Sequence, residues 1–198
     1  RRHTAIIFYN KIIFMDDNMN KIICGIDEAG RGPLAGPVTA AAVILPDDFE
    51  IELLNDSKKL SEKKRNALEI LIKEKCIAWS VAHIPHNIID EINILNASLL
   101  AMKNAYESLV TPNGNIFSGE VNKIIVDGIY FPKLNVNEKI ECVAKVKADA
   151  TEPSVMAASI LAESIFNESL SISTNTGAQP SHTILLVVAT KENGVVII

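Results

Sequence analysis

The segment Gly25-Ile26-Asp27-Glu28-Ala29-Gly30-Arg31-Gly32-Pro33 joins an apolar run to a glycine-rich loop and places two adjacent acids at the junction. Neighbouring residues of a regular strand point to opposite faces, so both acids can serve one site only where the strand ends or bulges. The glycines that follow make such an end possible. Two buried carboxylates without a cation are costly, and oxygen ligands suit Mg²⁺ or Mn²⁺. For the doublet alone, a solvated strand end remains the simpler interpretation.

The apolar runs on either side of this segment predict a mixed α/β domain with helices packed on a central sheet. Helices are expected over residues 61–75, over 88–109, and from a cap at Thr151, where Pro153 suits the first turn. Strands are expected at 21–27 and 38–45, joined as a hairpin, and at 77–84, 123–127 and 139–146.

A chain of 198 residues is most simply one domain. We expect residues 1–20 to be an N-terminal extension outside the fold, with Met15 or Met19 as the true start. Residues 21–168 then form the catalytic domain. Residues 169–198 form a divergent tail, whose apolar end predicts either one or two edge strands or a poorly ordered segment.

Composition excludes several classes of protein. Hydrophobic residues make up 48% and charged residues 22%, which is inconsistent with a mainly disordered, collagenous or coiled-coil chain. No apolar stretch approaches the roughly 20 residues that cross a bilayer. The net charge of −5 opposes coating of nucleic acid by bulk charge, but a local basic face remains possible. Three cysteines without a CxxC pair predict a reduced, cytoplasmic setting.

Two further acids follow predicted strands. Asp127 ends an apolar run and precedes Gly128, and Asp149 lies between a strand and a helix. Either could instead be an N-cap or turn residue. Acids at three strand ends are nevertheless the arrangement that a two-metal phosphodiester site requires, with two ions about 4 Å apart.

Several basic and polar residues are candidates for substrate contact. Arg31 is flanked by Gly30 and Gly32, whose backbone could form an anion-binding nest, although most such triplets are ordinary turns. Lys58 lies in the loop part of a basic cluster, which is either a phosphate contact or a solvated face. Asn93 interrupts an apolar helix, where asparagine is unfavourable without a partner or a ligand.

Taken together, these motifs resemble the ribonuclease HII family. They are GIDEAGRGPLAGPV at residues 25–38, DSKKL at 56–60, INILNASLLAM at 92–102, VDG at 126–128, and KADA at 147–150 with the helix that follows. They occur in the order of the family. The resemblance implies an RNase H-like fold with a central mixed five-stranded sheet flanked by helices. It implies endonucleolytic cleavage of RNA in RNA–DNA hybrids, including nicking 5′ of ribonucleotides embedded in duplex DNA.

The resemblance also implies roles for individual residues. The catalytic and metal-binding carboxylates, for Mg²⁺ or Mn²⁺, would be Asp27, Glu28, Asp127 and Asp149. The family element that contacts the ribose 2′-hydroxyl, the group that separates RNA from DNA, would be Gly30, Arg31 and Gly32. Lys58 and Asn93 match positions near the substrate backbone. The expected partner is an RNA–DNA hybrid or a DNA duplex with an embedded ribonucleotide, bound by a monomer that does not associate with membranes.

Two departures from the family pattern concern substrate recognition. No tyrosine follows Tyr130, so the C-terminal tyrosine of the family has no counterpart, and Ala148 replaces a glycine of the family. They motivate an alternative hypothesis, in which the protein is a catalytically impaired, hybrid-binding remnant without the C-terminal recognition region.

Overall fold

The computed structural model describes residues 5–8, 11–14, 21–32, 36–54, 62–176, 186–190 and 194–197. The predicted substrate contact Lys58 lies outside these residues. The strands are β1 (Ala5–Phe8), β2 (Lys11–Phe14), β3 (Ile23–Ala29), β4 (Val38–Ile44), β5 (Ala78–Ile84), β6 (Lys123–Asp127), β7 (Glu141–Lys145), β8 (Leu186–Thr190) and β9 (Gly194–Ile197). The α-helices are α1 (Glu62–Lys75), α2 (His86–Glu107) and α3 (Pro153–Thr176).

The predicted mixed five-stranded sheet is confirmed, and two C-terminal strands extend it. Strands β3 and β4 form the expected antiparallel hairpin, while β6 runs parallel to β3 and β7 runs parallel to β6. The order across the sheet is β7-β6-β3-β4-β5-β8-β9. Strands β1 and β2 pair with each other in a separate two-stranded sheet.

The core consists of two apolar layers, one on each face of the sheet. Helix α2 covers one face, against buried side chains such as Ile26 and Ile84. Helices α1 and α3 cover the other, where Ile72 and Leu161 pack with Trp79. Each of these buried side chains contributes roughly 1.5–3 kcal/mol to stability. This packing fixes the sheet and therefore the positions of its strand ends.

Helix α3 approaches β3 unusually closely. A Cβ atom on Gly25 would lie 2.2 Å from the carbonyl carbon of Ser154, so glycine is required where helix and strand meet. The Ser154 hydroxyl donates a hydrogen bond to the Ile23 carbonyl at 3.2 Å. Small residues on the helix, including the fully buried Ala157 and Ala158, permit the same close contact.

The start of α3 differs from the prediction. Thr151 does not cap the helix; it follows a 3₁₀ turn at Ala148–Ala150. The carbonyl of Glu152 accepts the first helical hydrogen bonds, and Pro153 is the first helical residue, where its missing N–H leaves no bond unmade. The helix then continues to Thr176, beyond the composition change near residue 168.

Helix α2 is broken, although residues 88–109 predicted a continuous helix. Asn93 has φ 66° and ψ 164°, which lie outside the helical region. Its side-chain Oδ1 accepts a hydrogen bond from the Asn96 backbone N–H at 3.1 Å, as an N-cap does. The Asn96 amide donates to the Ile92 carbonyl at 2.9 Å. Asparagine side chains thus satisfy backbone groups on both sides of the break.

Within the described part of the chain, no helix combines the length and the apolar character that a membrane span requires.

Candidate active site

Three of the four predicted acids converge at one edge of the sheet. Ile26 of β3 lies opposite Val126 of β6, so these adjacent parallel strands bring Asp27 and Asp127 to the same edge. Asp149 lies in the 3₁₀ turn that follows the next strand, β7. Each of the three carboxylates offers one oxygen, and these oxygens all lie within 4.8 Å of one another. We call Asp27, Asp127 and Asp149 the three-acid group.

The turn that carries Asp149 is tied directly to Asp127. The backbone N–H of Ala148 donates a hydrogen bond to Asp127 Oδ1 at 2.6 Å. Lys147 adopts the left-handed conformation, with φ 59°, whereas Ala148 does not. The alanine that departs from the family pattern therefore introduces no backbone strain, and the turn keeps Asp127 and Asp149 together.

Asp27 is the most deeply buried acid of the site, with 5% of its surface exposed. Burial raises the pKa of Asp27 to about 8, a hydrogen bond from Ser159 opposes this rise, and the nearby charges of Glu28 and Asp127 add to it. The Glu28 backbone N–H donates to Asp27 Oδ1 at 2.8 Å. Ser159 was not among the residues predicted for the site; its only signal in the sequence is a hydroxyl within an alanine-rich stretch of α3.

Glu28, the fourth predicted acid, lies outside the three-acid group. Strand β3 does not end at Asp27 as predicted; it continues to Ala29, which pairs with Thr39. Neighbouring residues of a regular strand leave it on opposite faces, yet the charge of Glu28 still adds to the rise in the pKa of Asp27. Glu28 Oε1 instead accepts a hydrogen bond from Arg31 Nη1 at 3.0 Å. Burial raises the pKa of Glu28, and the hydrogen bond and charge of Arg31 oppose this rise.

The two glycines beside Arg31 have different surroundings. Gly30 has φ +94°, and a Cβ atom there would lie 2.5 Å from the Pro37 carbonyl oxygen. That position therefore demands glycine. Among the residues that the structure describes, none has an atom within 4 Å of a Cβ atom placed on Gly32. The Arg31 side chain is 49% exposed.

Asn93 is an exposed residue at the break of α2. Its side-chain oxygen is engaged by the Asn96 N–H, which explains why asparagine is tolerated there. Asn93 is not a member of the three-acid group.

The donor set of the three-acid group fits a divalent cation with oxygen ligands. One oxygen from each of the three carboxylates lies within 4.8 Å of the other two. The pKa of Asp27 is raised because burial leaves its negative charge poorly compensated. A bound cation would provide that compensation. Oxygen-only ligands favour Mg²⁺ or Mn²⁺ over softer metals.

Comparisons with known proteins point to one family. A family model described as ribonuclease HII matches residues 24–180. Ribonuclease HII from Dechloromonas aromatica is 50% identical over 144 residues, covering 73% of this chain and 67% of that protein. Ribonuclease HII from Idiomarina loihiensis is 52% identical over 143 residues, covering 72% and 70%. The crystal structure of ribonuclease H2 from Pyrococcus horikoshii OT3 superposes with a TM-score of 0.65 at 25% identity, covering 81% of this chain and 79% of that one.

Proposed function

The chain belongs to the ribonuclease HII family, and we propose that it hydrolyses the RNA strand of RNA–DNA hybrids by two-metal-ion catalysis. Nicking 5′ of single ribonucleotides in duplex DNA is part of this proposal, which would place the enzyme in ribonucleotide excision. The observation that supports the chemistry is the three-acid group at the end of two parallel strands and an adjoining turn.

Asp27, Asp127 and Asp149 would hold Mg²⁺ or Mn²⁺, and Glu28 would complete the set of ligands. Bound divalent ions supply the Lewis acidity for phosphodiester hydrolysis. A bound cation would favour the ionised form of Asp27, because it would replace the solvation that burial removed. The Ala148 N–H donates a hydrogen bond to Asp127 Oδ1 and so helps to orient this carboxylate in the three-acid group.

Substrate recognition is assigned to the other predicted residues. The segment Gly30, Arg31 and Gly32 contacts the ribose 2′-hydroxyl through its backbone, consistent with the positive φ of Gly30 and with the lack of described atoms within 4 Å of a Cβ atom placed on Gly32. Lys58 and Asn93 contact the sugar–phosphate backbone. The catalytic unit is residues 21–168, and the protein acts as a cytoplasmic monomer.

The alternative of a non-catalytic hybrid-binding remnant is not favoured. A carboxylate buried like Asp27 destabilises a protein that has no cation to bind there, because burial disfavours its charged form. A pure binding protein has no need of such a group. Its retention beside two further carboxylates therefore supports a catalytic role.

The test is cleavage of a fluorescent DNA duplex that contains one ribonucleotide, with Mg²⁺, with Mn²⁺ and with EDTA. We expect metal-dependent nicking, and we expect Asp27→Asn to lower the rate about 100-fold or more, since a lost metal ligand removes several kcal/mol of transition-state stabilisation. Far-UV circular dichroism should show that the variant remains folded.

Asp48→Asn serves as the matched control, because Asp48 is an exposed acid beyond β4, at the opposite edge of the sheet. Its rate should equal that of the wild type. Full turnover by the folded Asp27→Asn variant in Mg²⁺ would refute the assignment. Tight hybrid binding by the wild type without any cleavage would favour the remnant.

A further inference from the structure

Glu28, a proposed metal ligand, forms an ion pair with the guanidinium of Arg31. Arg31 Nη1 and Glu28 Oε1 are 3.0 Å apart, and the two side chains are 49% and 11% exposed. Glu28 is thus the largely buried partner and Arg31 the half-exposed one. Asp27, Asp127 and Asp149 form a compact group without Glu28.

Charge balance makes this pair incompatible with a fully loaded site. The three-acid group and Glu28 together carry four negative charges when ionised, which two divalent ions neutralise. The guanidinium of Arg31 adds a fifth positive charge within hydrogen-bond distance of one ligand. In a partly desolvated site the repulsion between this charge and the second ion is substantial, so the two compete for Glu28.

The surroundings of the ion pair allow Arg31 to move away from Glu28. The pair joins residues three apart, and the Arg31 side chain is 49% exposed, so water can solvate the guanidinium once it leaves Glu28. Arg31 is flanked by Gly30 and Gly32, and no atom of the described residues lies within 4 Å of a Cβ atom placed on Gly32. A phosphate of nucleic acid bound along this segment offers the guanidinium a bidentate alternative to Glu28.

We propose that Arg31 is a positioning residue that holds Glu28 away from the metal site in the free protein and competes with the second divalent ion for it. The complete set of ligands then forms when a substrate phosphate takes over the guanidinium. Full metal loading is thereby coupled to the presence of nucleic acid. The inference rests on the proposed metal-dependent function of the site.

The experiment is a calorimetric titration of metal-free protein with Mn²⁺ in the absence of nucleic acid, with free Mn²⁺ followed by electron paramagnetic resonance. We expect the wild type to bind one ion tightly and a second weakly. In Arg31→Gln the second ion should bind about fivefold tighter or more, the usual size of a coupling between two ligands. Arg31→Lys keeps a cation and should remain closer to the wild type.

Lys123→Gln is the matched control. It breaks a comparable ion pair with Glu141, at 2.9 Å, at the opposite end of β6 from Asp127, and should leave both Mn²⁺ affinities unchanged. The inference is overturned if the second-ion affinity of Arg31→Gln stays within about twofold of the wild type. It is also overturned if Lys123→Gln changes the affinity for the second Mn²⁺ ion as much as Arg31→Gln does. The effect would then come from the loss of one positive charge anywhere on the protein.

Failure of this inference is distinguishable from failure of the proposed function. If the wild type cleaves the hybrid and Arg31→Gln binds Mn²⁺ with the affinity of the wild type, only the proposed role of Arg31 is refuted. A wild type that binds Mn²⁺ with the expected Arg31 dependence but never cleaves removes the proposed reaction. A wild type that binds no Mn²⁺ removes both.

Discussion

At the level of single residues, Asp27 links the stability of the protein to its chemistry. Its carboxyl is almost fully buried, receives hydrogen bonds from the Glu28 N–H and from Ser159, and has a pKa raised to about 8. In the unfolded chain the same group ionises near 3.8. The folded, metal-free protein therefore holds a proton that the unfolded chain has already released.

This difference predicts how Asp27→Asn changes stability. Between about pH 4 and pH 8 unfolding releases a proton, so the contribution of Asp27 to the free energy of unfolding falls as pH rises. In EDTA the stability advantage of the variant over the wild type should be larger at about pH 8 than at about pH 5 by roughly 3–4 kcal/mol, since each pH unit between the two pKa values adds about 1.4 kcal/mol. Thermal unfolding at both pH values measures this. An equal difference at the two values would contradict it.

Excess Mn²⁺ provides the control for that comparison. A ligand that binds only the folded state stabilises it, and the wild type retains the ligand that the variant lacks. With saturating Mn²⁺ the wild type should therefore regain most or all of the difference at about pH 8.

At the level of elements, the contact between α3 and β3 fixes the distance from the sheet to the helix that carries Ser159. Gly25 lies against the backbone of Ser154 and Val155, and the Ser154 hydroxyl bonds to Ile23. The same strand carries Asp27 two residues later, on the same face. Any displacement of α3 would therefore alter the surroundings of Asp27.

We expect Gly25→Ala to destabilise the protein by about 2–4 kcal/mol, because the added methyl overlaps helix backbone and not a flexible side chain. Gly32→Ala is the control for stability, since a Cβ atom there meets no atom within 4 Å in the described part of the chain. Urea unfolding of both variants measures the effect. A Gly25→Ala protein as stable as Gly32→Ala would show that α3 can move away without loss.

At the level of the whole molecule, the three-acid group and the C-terminal strands lie in different parts of the sheet. The acids come from β3, β6 and the turn after β7. Strand β8 pairs with β5, and β4 separates β5 from β3. Strand β8 contacts β5 through the pairs Val81↔Val187 and Ala82↔Leu186.

A stop codon after residue 180 removes β8 and β9 and retains every acid of the site. We expect the shortened protein to nick the ribonucleotide duplex within about threefold of the full chain, and to melt a few degrees lower because β5 becomes an edge strand. Nicking assays well below the melting temperature measure the first effect. A folded but inactive shortened protein would show that the tail takes part in catalysis.

The strands, the helices and the acids at the strand ends could be predicted because their signals are local. Apolar runs ending in Asp27-Glu28, Asp127-Gly128 and Lys147-Ala148-Asp149 mark strand ends without any knowledge of the partner strands. The break at Asn93 was not predicted, although an asparagine in an apolar helix was noted. Its cause is a side-chain cap, which hydrophobic periodicity does not reveal.

The positions of Glu28 and Ser159 relative to the metal site depend on contacts between distant segments. Strand β3 continues past Asp27 because β4 pairs with it as far as Ala29, and the Glu28 side chain there bonds to Arg31 outside the three-acid group. Ser159 reaches Asp27 because Gly25 lets α3 lie close to the strand. Local patterns thus specify which residues carry the chemistry. The register between strands and the packing of the helix set their distances, because pairing and close approach involve residues far apart in the chain.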